Sequence, residues 1–249
     1  VDSGWDVKGL IKGLVMSQAY RQSSIIDEER LQRDPENRLL TRGPRTRLQA
    51  EMLRDQALFV SGLLVERLGG PSWWVYQPAG LWLEVEKRGT FVQDHGEKLY
   101  RRSLYSRIRR TVAPPSMLLF DMPSREMCSV KRTLTNTPLQ ALALLNEVTY
   151  VEAAKKFAER MMTKGGTPGE RIAWGFRCAT SRVAEKEELE ILVKGYERRV
   201  EHYRRDGKAA EDLLGQGESK VADYLPKPEM AALTTVANVI LNLDEVINR

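Results

Sequence analysis

Apolar residues recur at helical spacing over most of the chain. Near its start, Val7, Leu10 and Ile11 begin a stripe that predicts an amphipathic helix ending near residues 21–24. Residues 27–44 are rich in charge and interrupted by proline, so they predict a loop with at most one short helix.

A second apolar stripe runs from Thr46 to about Leu68 and is stopped by Gly69, Gly70 and Pro71. This pattern predicts a long helix over residues 46–68.

The second half of the chain predicts a series of helices. Thr137 before Pro138 is a cap followed by a first helical residue, and Asn146 divides that helix from a next one over 150–162. Residues 167–170 have the form of a capping box.

Two helices are expected nearer the end of the chain. One is long and starts beside Ala184, which stands at the expected cap position and cannot accept an amide hydrogen bond. The last one runs from about Ala232 through Ile247 and stays periodic to the end.

Residues 71–135 are irregular and rich in proline, glycine and aromatic residues. Within them, residues 99–108 are compatible with a strand or a short helix. A long irregular segment is usually functional or packed tightly on a scaffold. The fold class predicted is all-α, a multi-helix domain with a long irregular, aromatic-rich middle segment.

Length and composition limit the number of domains and the class of protein. The 249 residues carry a formal net charge of +5, and 42% of them are hydrophobic, which is typical of a globular protein with a real core. We predict one helical domain over 1–249, with an alternative sub-boundary near residue 135. No apolar run reaches the ~20 residues of a membrane span. The chain enters a periodic stretch at once, so we expect a piece of a longer protein.

Histidine and cysteine are too few for most metal chemistry. The chain has two of each and lacks the haem and zinc motifs, so no metal site and no cofactor is predicted within it. Cys128 and Cys178 fit either two buried thiols or one disulfide.

The densest polar cluster surrounds the start of the second predicted helix. Arg47, Glu51 and Arg54 would share one helical face if that helix began at Thr46. The cluster predicts either a structural network of ion pairs or a site for an anionic group or a partner. Its candidate residues are Arg38, Arg42, Arg47, Glu51, Arg54 and Asp55.

A second basic cluster contains Arg101 and Arg102 beside Tyr100 and Tyr105. Basic residues interleaved with aromatic ones can bind single-stranded nucleic acid, or can pair with carboxylates of a partner or an acidic polysaccharide.

Two weaker candidates lie nearby in sequence. The helix start beside Asn136, with Arg132 close to it, could hold an anion or be a plain helix cap. Trp73 and Trp82 could stack on a sugar or anchor the irregular segment to the core.

Several stretches, in chain order, resemble one family. It is the planctomycete-type domain of unknown function numbered fifteen fifty-three. The resemblance extends over nearly the whole chain and rests on residues 19–24, 34–40, 61–64, 69–72, 76–78, 99–105, 135–142 and 241–245.

The resemblance implies architecture and location rather than activity. The chain resembles the C-terminal module of large exported proteins. These proteins typically carry a cytochrome-c-like domain upstream of that module. It therefore implies a periplasmic or cell-surface location, favours a disulfide more than the residues alone do, and argues against nucleic acid as a partner. The Trp73–Trp74 pair and Ala184 depart from the family pattern.

We therefore expect a non-catalytic structural or interaction module whose partners are upstream domains of its own chain, including a haem-bearing one. The alternative is an enzyme, or a binder of anions or acidic polysaccharide, with an Arg-rich cleft. An interaction module should have its arginines paired and enclosed, whereas a binder should have them converge on an open cleft.

Overall fold

The computed structural model describes residues 4–78, 80–81, 91–110 and 112–248, and it confirms the all-α class. Its α-helices are α1 (Val7–Met16), α2 (Glu28–Arg33), α3 (Ala50–Ser61), α4 (Pro115–Leu119), α5 (Pro138–Asn146), α6 (Val148–Thr163), α7 (Pro168–Thr180), α8 (Lys186–Arg205), α9 (Gly207–Leu214), α10 (Lys227–Leu241) and α11 (Asp244–Ile247). Within these residues, no helix is both long and apolar enough to cross a bilayer.

The chain divides into two compact units. The first comprises the described residues up to Arg47 together with Asn248, and the second comprises Leu48–Ile247. In the first unit, α1 buries none of its residues, and α2 is the short helix expected in the charged stretch.

A closed loop over residues 34–42 completes the first unit. The Asp34 carboxylate accepts hydrogen bonds from the backbone N–H groups of Arg38 and Leu39, each at 2.8 Å. The Arg42 guanidinium donates to the carbonyl oxygens of Asp34 and Pro35, each at 2.7 Å. The loop is therefore held by its own side chains.

Helix α6 is central to the second unit. Helix α10 packs against both α6 and α8, and α3 packs on α6. Phe157 and Met161 of α6 belong to the apolar cluster shared with α7–α10, whereas Tyr150 and Ala153 belong to the cluster beneath α3 and the middle segment. One helix thus contributes to both apolar clusters of this unit.

Several predicted helix starts are confirmed because their caps are local. Thr137 accepts a hydrogen bond from the N–H of Gln140, whose side chain reaches back to the Thr137 amide. Thr167 and Glu170 form the same reciprocal box at the start of α7. The break at Asn146 is also confirmed, since α5 ends there.

Four predicted boundaries are wrong. Helix α1 ends at Met16, before residues 21–24. Helix α3 runs only from Ala50 to Ser61, so Arg47 lies before it and does not share its face. The cap of α8 is Glu185, whose amide is bonded to the Glu188 side chain at 2.8 Å, and Ala184 lies outside the helix. The final periodic stretch is interrupted at Asn242, which separates α10 from α11.

The described parts of the middle segment, residues 71–78, 80–81, 91–110 and 112–135, are largely irregular, as predicted. Residues 99–108 form neither a strand nor an α-helix but parts of two short 3₁₀ helices, Gly96–Tyr100 and Ser103–Tyr105. Isolated backbone bridges join Val65 to Arg101 and Trp73 to Ser106. These few bonds leave many carbonyl groups to be satisfied by side chains.

An ion-pair network of one arginine and two glutamates stabilises the connection between α7 and α8. Arg182 donates to both oxygens of Glu188, at 2.8 and 2.6 Å, and to both oxygens of Glu245 in α11, at 2.7 and 2.6 Å. Its guanidinium also lies over the Phe176 ring, 4.7 Å from the centroid. These hydrogen bonds lower the pKa of Glu188 to about 2.

This depressed pKa predicts a loss of stability in acid. Because the folded-state pKa of Glu188 lies below its ordinary value of 4.5, the contribution of the pair is complete above about pH 4.5 and is lost as the pH falls towards 2. Arg182→Ala should return the NMR-measured pKa of Glu188 towards 4.5. Arg177→Ala removes the same charge from an exposed position and should leave that pKa unchanged; an equal shift in both variants would contradict the prediction.

Candidate functional site

Arg54 is the most enclosed of the predicted site residues. It projects from α3 with only 6% of its surface exposed. Its guanidinium donates to the carbonyl oxygens of Leu99 and Arg101 and to the hydroxyl of Ser103, the last two at 2.9 and 3.2 Å. Arg54 therefore fastens the turn between the two 3₁₀ helices to α3.

The same guanidinium covers Trp73. Its central carbon lies 4.6 Å from the centroid of the indole ring, and Trp73 is 1% exposed. A stacking role for Trp73 requires an exposed ring face, which this position does not offer. Trp82, the other predicted stacking residue, lies outside the described residues.

Arg101 makes the same two kinds of contact, with carbonyl oxygens and with an aromatic ring. It donates to the carbonyl oxygens of Arg67, Gly69 and Pro71, and its guanidinium lies 4.4 Å from the centroid of the Tyr105 ring. With 5% of its surface exposed, Arg101 closes the loop that follows α3. A guanidinium suits this role because its donors fan out in a plane.

The two acids of the predicted cluster bind to the middle segment as well. Asp55 accepts from the backbone N–H of Ser103 at 2.7 Å and from the exposed Arg102 at 3.2 Å. Glu51 forms a two-pronged ion pair with Arg132, at 2.7 and 3.1 Å. Partial burial acts to raise the pKa of Glu51, but the contact with Arg132, together with a backbone hydrogen bond and the charge of Arg125, lowers it overall.

The other predicted residues belong to the first unit or to the start of α5. Arg42 closes the loop over residues 34–42 of the first unit, Arg38 is exposed there, and Arg47 is half-buried at its end. Asn136 is exposed at the start of α5. The neighbouring amide of Thr135 is engaged by Asp121 at 2.7 Å, so this helix start is organised by the protein's own carboxylate.

The geometry thus brings Glu51, Arg54, Asp55, Arg101, Arg102 and Arg132 together around the middle segment. Arg54 and Arg101 are enclosed by carbonyl oxygens rather than directed into an open cleft. Within the described residues, no cluster of histidine, cysteine and acids is arranged to hold a metal ion.

Glu152 is a buried carboxylate that the sequence analysis missed. It lies on the inner side of α6 with 1% of its surface exposed. It accepts hydrogen bonds from the hydroxyls of Tyr76 and Tyr100, at 3.0 and 2.9 Å, and from the amide of Ser219 at 2.5 Å. These contacts connect the middle segment to the loop after α9.

Lys155, one turn along α6, fastens the same loop. Its ammonium is fully buried and donates to the carbonyl oxygens of Leu214, Gln216 and Ser219, at 3.1, 2.5 and 2.6 Å. Burial lowers the pKa of Lys155, and the charge of Glu152 opposes that shift. Glu152 and Lys155 together therefore fix the loop over 214–219.

A cleft of about 780 Å³ opens beside this loop; we call it the carboxyl cleft. One wall is apolar and includes Pro115, Leu119 and Leu139. Its polar lining includes Tyr76, Gln93, Asn146, Gln216 and the carboxyl groups of Glu147 and Glu218. Its volume lies within the range of small-molecule sites.

The two carboxyl groups of the cleft have opposite electrostatic environments. Burial raises the pKa of Glu147, and the hydrogen bonds from Thr149 together with the charge of Arg54 offset only part of that rise. Partial burial also acts to raise the pKa of Glu218, but hydrogen bonds from the Gly96 amide, His95 and Gln93 lower it overall.

The missed residues carry weak signals in the sequence. Glu152 and Lys155 are three positions apart and stand among buried apolar residues of α6, a pattern that suggests a buried pair. No sequence pattern indicates Glu147 or Glu218, because the cleft that they line is formed by residues distant along the chain.

A family model described as PSD1, a protein of unknown function (DUF1553), matches residues 1–196. The chain belongs to this family. The last motif of the resemblance, residues 241–245, lies beyond the matched range. No curated protein and no solved structure matches the chain.

The two cysteines of this DUF1553 protein are free thiols. Cys128 is exposed and Cys178 is half-buried. Burial raises the pKa of Cys178, so its thiol stays protonated and weakly nucleophilic.

Arg54 provides a test of the structural network. Arg54→Ala leaves three acceptors unsatisfied and should lower the free energy of unfolding by about 3–5 kcal/mol. Thermal unfolding should show the midpoint falling by roughly 2–4 °C for each kcal/mol. Arg199→Ala removes an exposed arginine from α8 and serves as the control. Equal midpoints for the two variants would show that Arg54 is not a structural residue.

Gly217 tests whether the loop over 214–219 has to approach Glu152 closely. Its φ is +72°, and an added Cβ would overlap the carboxyl group of Glu152. Gly69 has a similar φ of +70° with nothing within 4 Å. Gly69→Ala should lower stability by about 1–2 kcal/mol through backbone strain alone.

Gly217→Ala should lower the free energy of unfolding by about 1–3 kcal/mol more than Gly69→Ala does, because the hydrogen-bonded carboxylate of Glu152 cannot move aside. Urea denaturation measures both losses. Matching losses in the two variants would mean that the Glu152 contact imposes no constraint.

Proposed function

We propose that this domain is a non-catalytic structural and interaction module that docks other domains through an exposed face of α5. The observation that carries the proposal is a row of three leucines on that helix. Leu139, Leu142 and Leu145 are 57%, 55% and 41% exposed. Leucines three residues apart lie close together on a helix surface, so they form one apolar strip.

The opposite side of α5 is occupied by the protein itself. Leu144 packs into the core, and the side-chain amide of Gln140 donates to the Leu119 carbonyl at 2.8 Å and to the Thr135 hydroxyl at 3.0 Å. The helix is therefore held rigidly while its leucine strip faces solvent. Grouped exposed apolar residues are typical of a docking surface.

The partners proposed are domains that precede this one in its parent chain, as the family resemblance implies, including a haem-bearing domain. The same resemblance supports an exported location at the periplasm or cell surface. Docking of an acidic polysaccharide by the arginines is less well supported, because Arg54 and Arg101 are committed to carbonyl groups of their own chain.

A binding experiment in trans tests this role. The preceding domains of the parent chain would be titrated into this domain by calorimetry. Leu142→Asp should weaken binding by tenfold or more, because a charge would be desolvated in the interface, at a cost above about 1.4 kcal/mol.

Ile191→Asp, at a 68% exposed position of α8, is the matched control and should bind as the unchanged domain does. The proposal fails if the preceding domains do not bind, or if both variants lose the same affinity.

A further inference from the structure

We propose that the carboxyl cleft is a binding site for an organic cation, an ammonium or guanidinium group carried on an apolar body. This proposal goes beyond the docking role and does not depend on it. The cleft would take the same chemistry from a free amine or from a lysine or arginine side chain of another polypeptide.

The charged residues that line the cleft indicate the charge of the ligand that would bind there. Glu147 and Glu218 both line the cleft, and among the described residues around it there is no lysine or arginine. An anion placed here would meet two acids without a compensating cation in the wall. A cation would instead meet opposite charge in a partly desolvated setting, where such contacts are strong.

The hydrogen-bonding groups that line the cleft include acceptors for the N–H donors of a ligand. Gln93 directs its side-chain amide nitrogen to Glu218 at 3.2 Å, and Asn146 directs its own to the Leu142 carbonyl at 2.9 Å. Gln216 donates to the Asp212 carbonyl at 3.3 Å. One N–H of each of these amides is therefore engaged within the protein, and each side chain adds a carbonyl oxygen as an acceptor beside the two carboxylates.

Glu147 is positioned to respond to such a ligand. Its carboxyl group is held at the start of α6 by the amide and hydroxyl of Thr149, at 2.9 and 3.1 Å. Burial raises its pKa, because the hydrogen bonds from Thr149 and the charge of Arg54 compensate only part of the loss of water around the carboxylate. A bound cation would supply that compensation, and the neighbouring apolar wall would cover the body of the ligand.

The loop beside the cleft is already ordered, which favours binding. Glu218 is bonded to Gly96, Gln93 and His95, and the adjacent Ser219 is held by Glu152 and Lys155. A preformed wall requires little ordering when the ligand enters, so less affinity is lost.

Three small probes of nearly equal shape test the sign of the charge. Phenethylamine, phenethyl alcohol and phenylacetate would each be titrated into the protein and followed by NMR chemical-shift changes. The amine should bind at least about tenfold more tightly than the alcohol, and the acid more weakly still, because a hydrogen bond to a charged group contributes about 1.5–3 kcal/mol. The shifts should centre on residues 146–148 and 216–218.

A second pair of probes distinguishes the source of the cation. A capped Leu-Lys-Leu peptide is compared with its Leu-norleucine-Leu counterpart, which lacks the ammonium group. Stronger binding of the lysine peptide than of phenethylamine favours a polypeptide side chain, and the reverse order favours a free amine. Either order supports the site, provided that the norleucine peptide binds at least tenfold more weakly.

Glu147→Gln locates the site while keeping an acceptor at the start of α6. It should weaken amine binding about tenfold. Glu190→Gln removes the same charge from an exposed position of α8 and should leave the affinity unchanged. The proposal is overturned if no probe binds, if the amine and the alcohol bind equally, or if Glu147→Gln binds the amine like the unchanged protein.

Discussion

The burial of two opposite charges on α6 is the constraint on which much of the second unit depends. Ionised groups removed from water must be hydrogen-bonded or paired, since an isolated buried charge is strongly destabilising. Glu152 meets this requirement with two tyrosine hydroxyls and the Ser219 amide, and Lys155 meets it with three carbonyl oxygens. Satisfying this pair places the middle segment and the loop over 214–219 against one helix.

Buried arginines supply the hydrogen-bond donors that the irregular segment needs. Chain without regular secondary structure leaves carbonyl groups unsatisfied, and each buried one requires a donor. Arg54 and Arg101 each supply donors to more than one carbonyl, and each also covers an aromatic ring. The basic residues that look like a ligand site in the sequence therefore replace the ladder of hydrogen bonds that a sheet would provide.

This internal use of charge affects what the surface can recognise. With Arg54 and Arg101 committed to backbone groups, the surfaces that we propose for partners are the leucine strip of α5 and the carboxyl cleft, both in the second unit. The partners proposed for these two surfaces are accordingly apolar or cationic. The guanidinium groups of Arg54 and Arg101 bind carbonyl oxygens of their own chain rather than a phosphate or an acidic polysaccharide.

The sequence by itself determined the all-α class, the irregular middle and the helix starts at Thr137 and Thr167, because periodicity and capping act within one or two turns. It also indicated these residues, but in three separate candidate sites: Glu51, Arg54 and Asp55 in the first, Arg101 in the second and Arg132 in the third. Tertiary structure brought them together around the middle segment and decided what they do. The partners of Arg54 lie 45–49 positions away along the chain, and Glu152 bonds to residues 52–76 positions away. Burial and pairing at such separations depend on how the helices pack, and a local pattern does not contain that information.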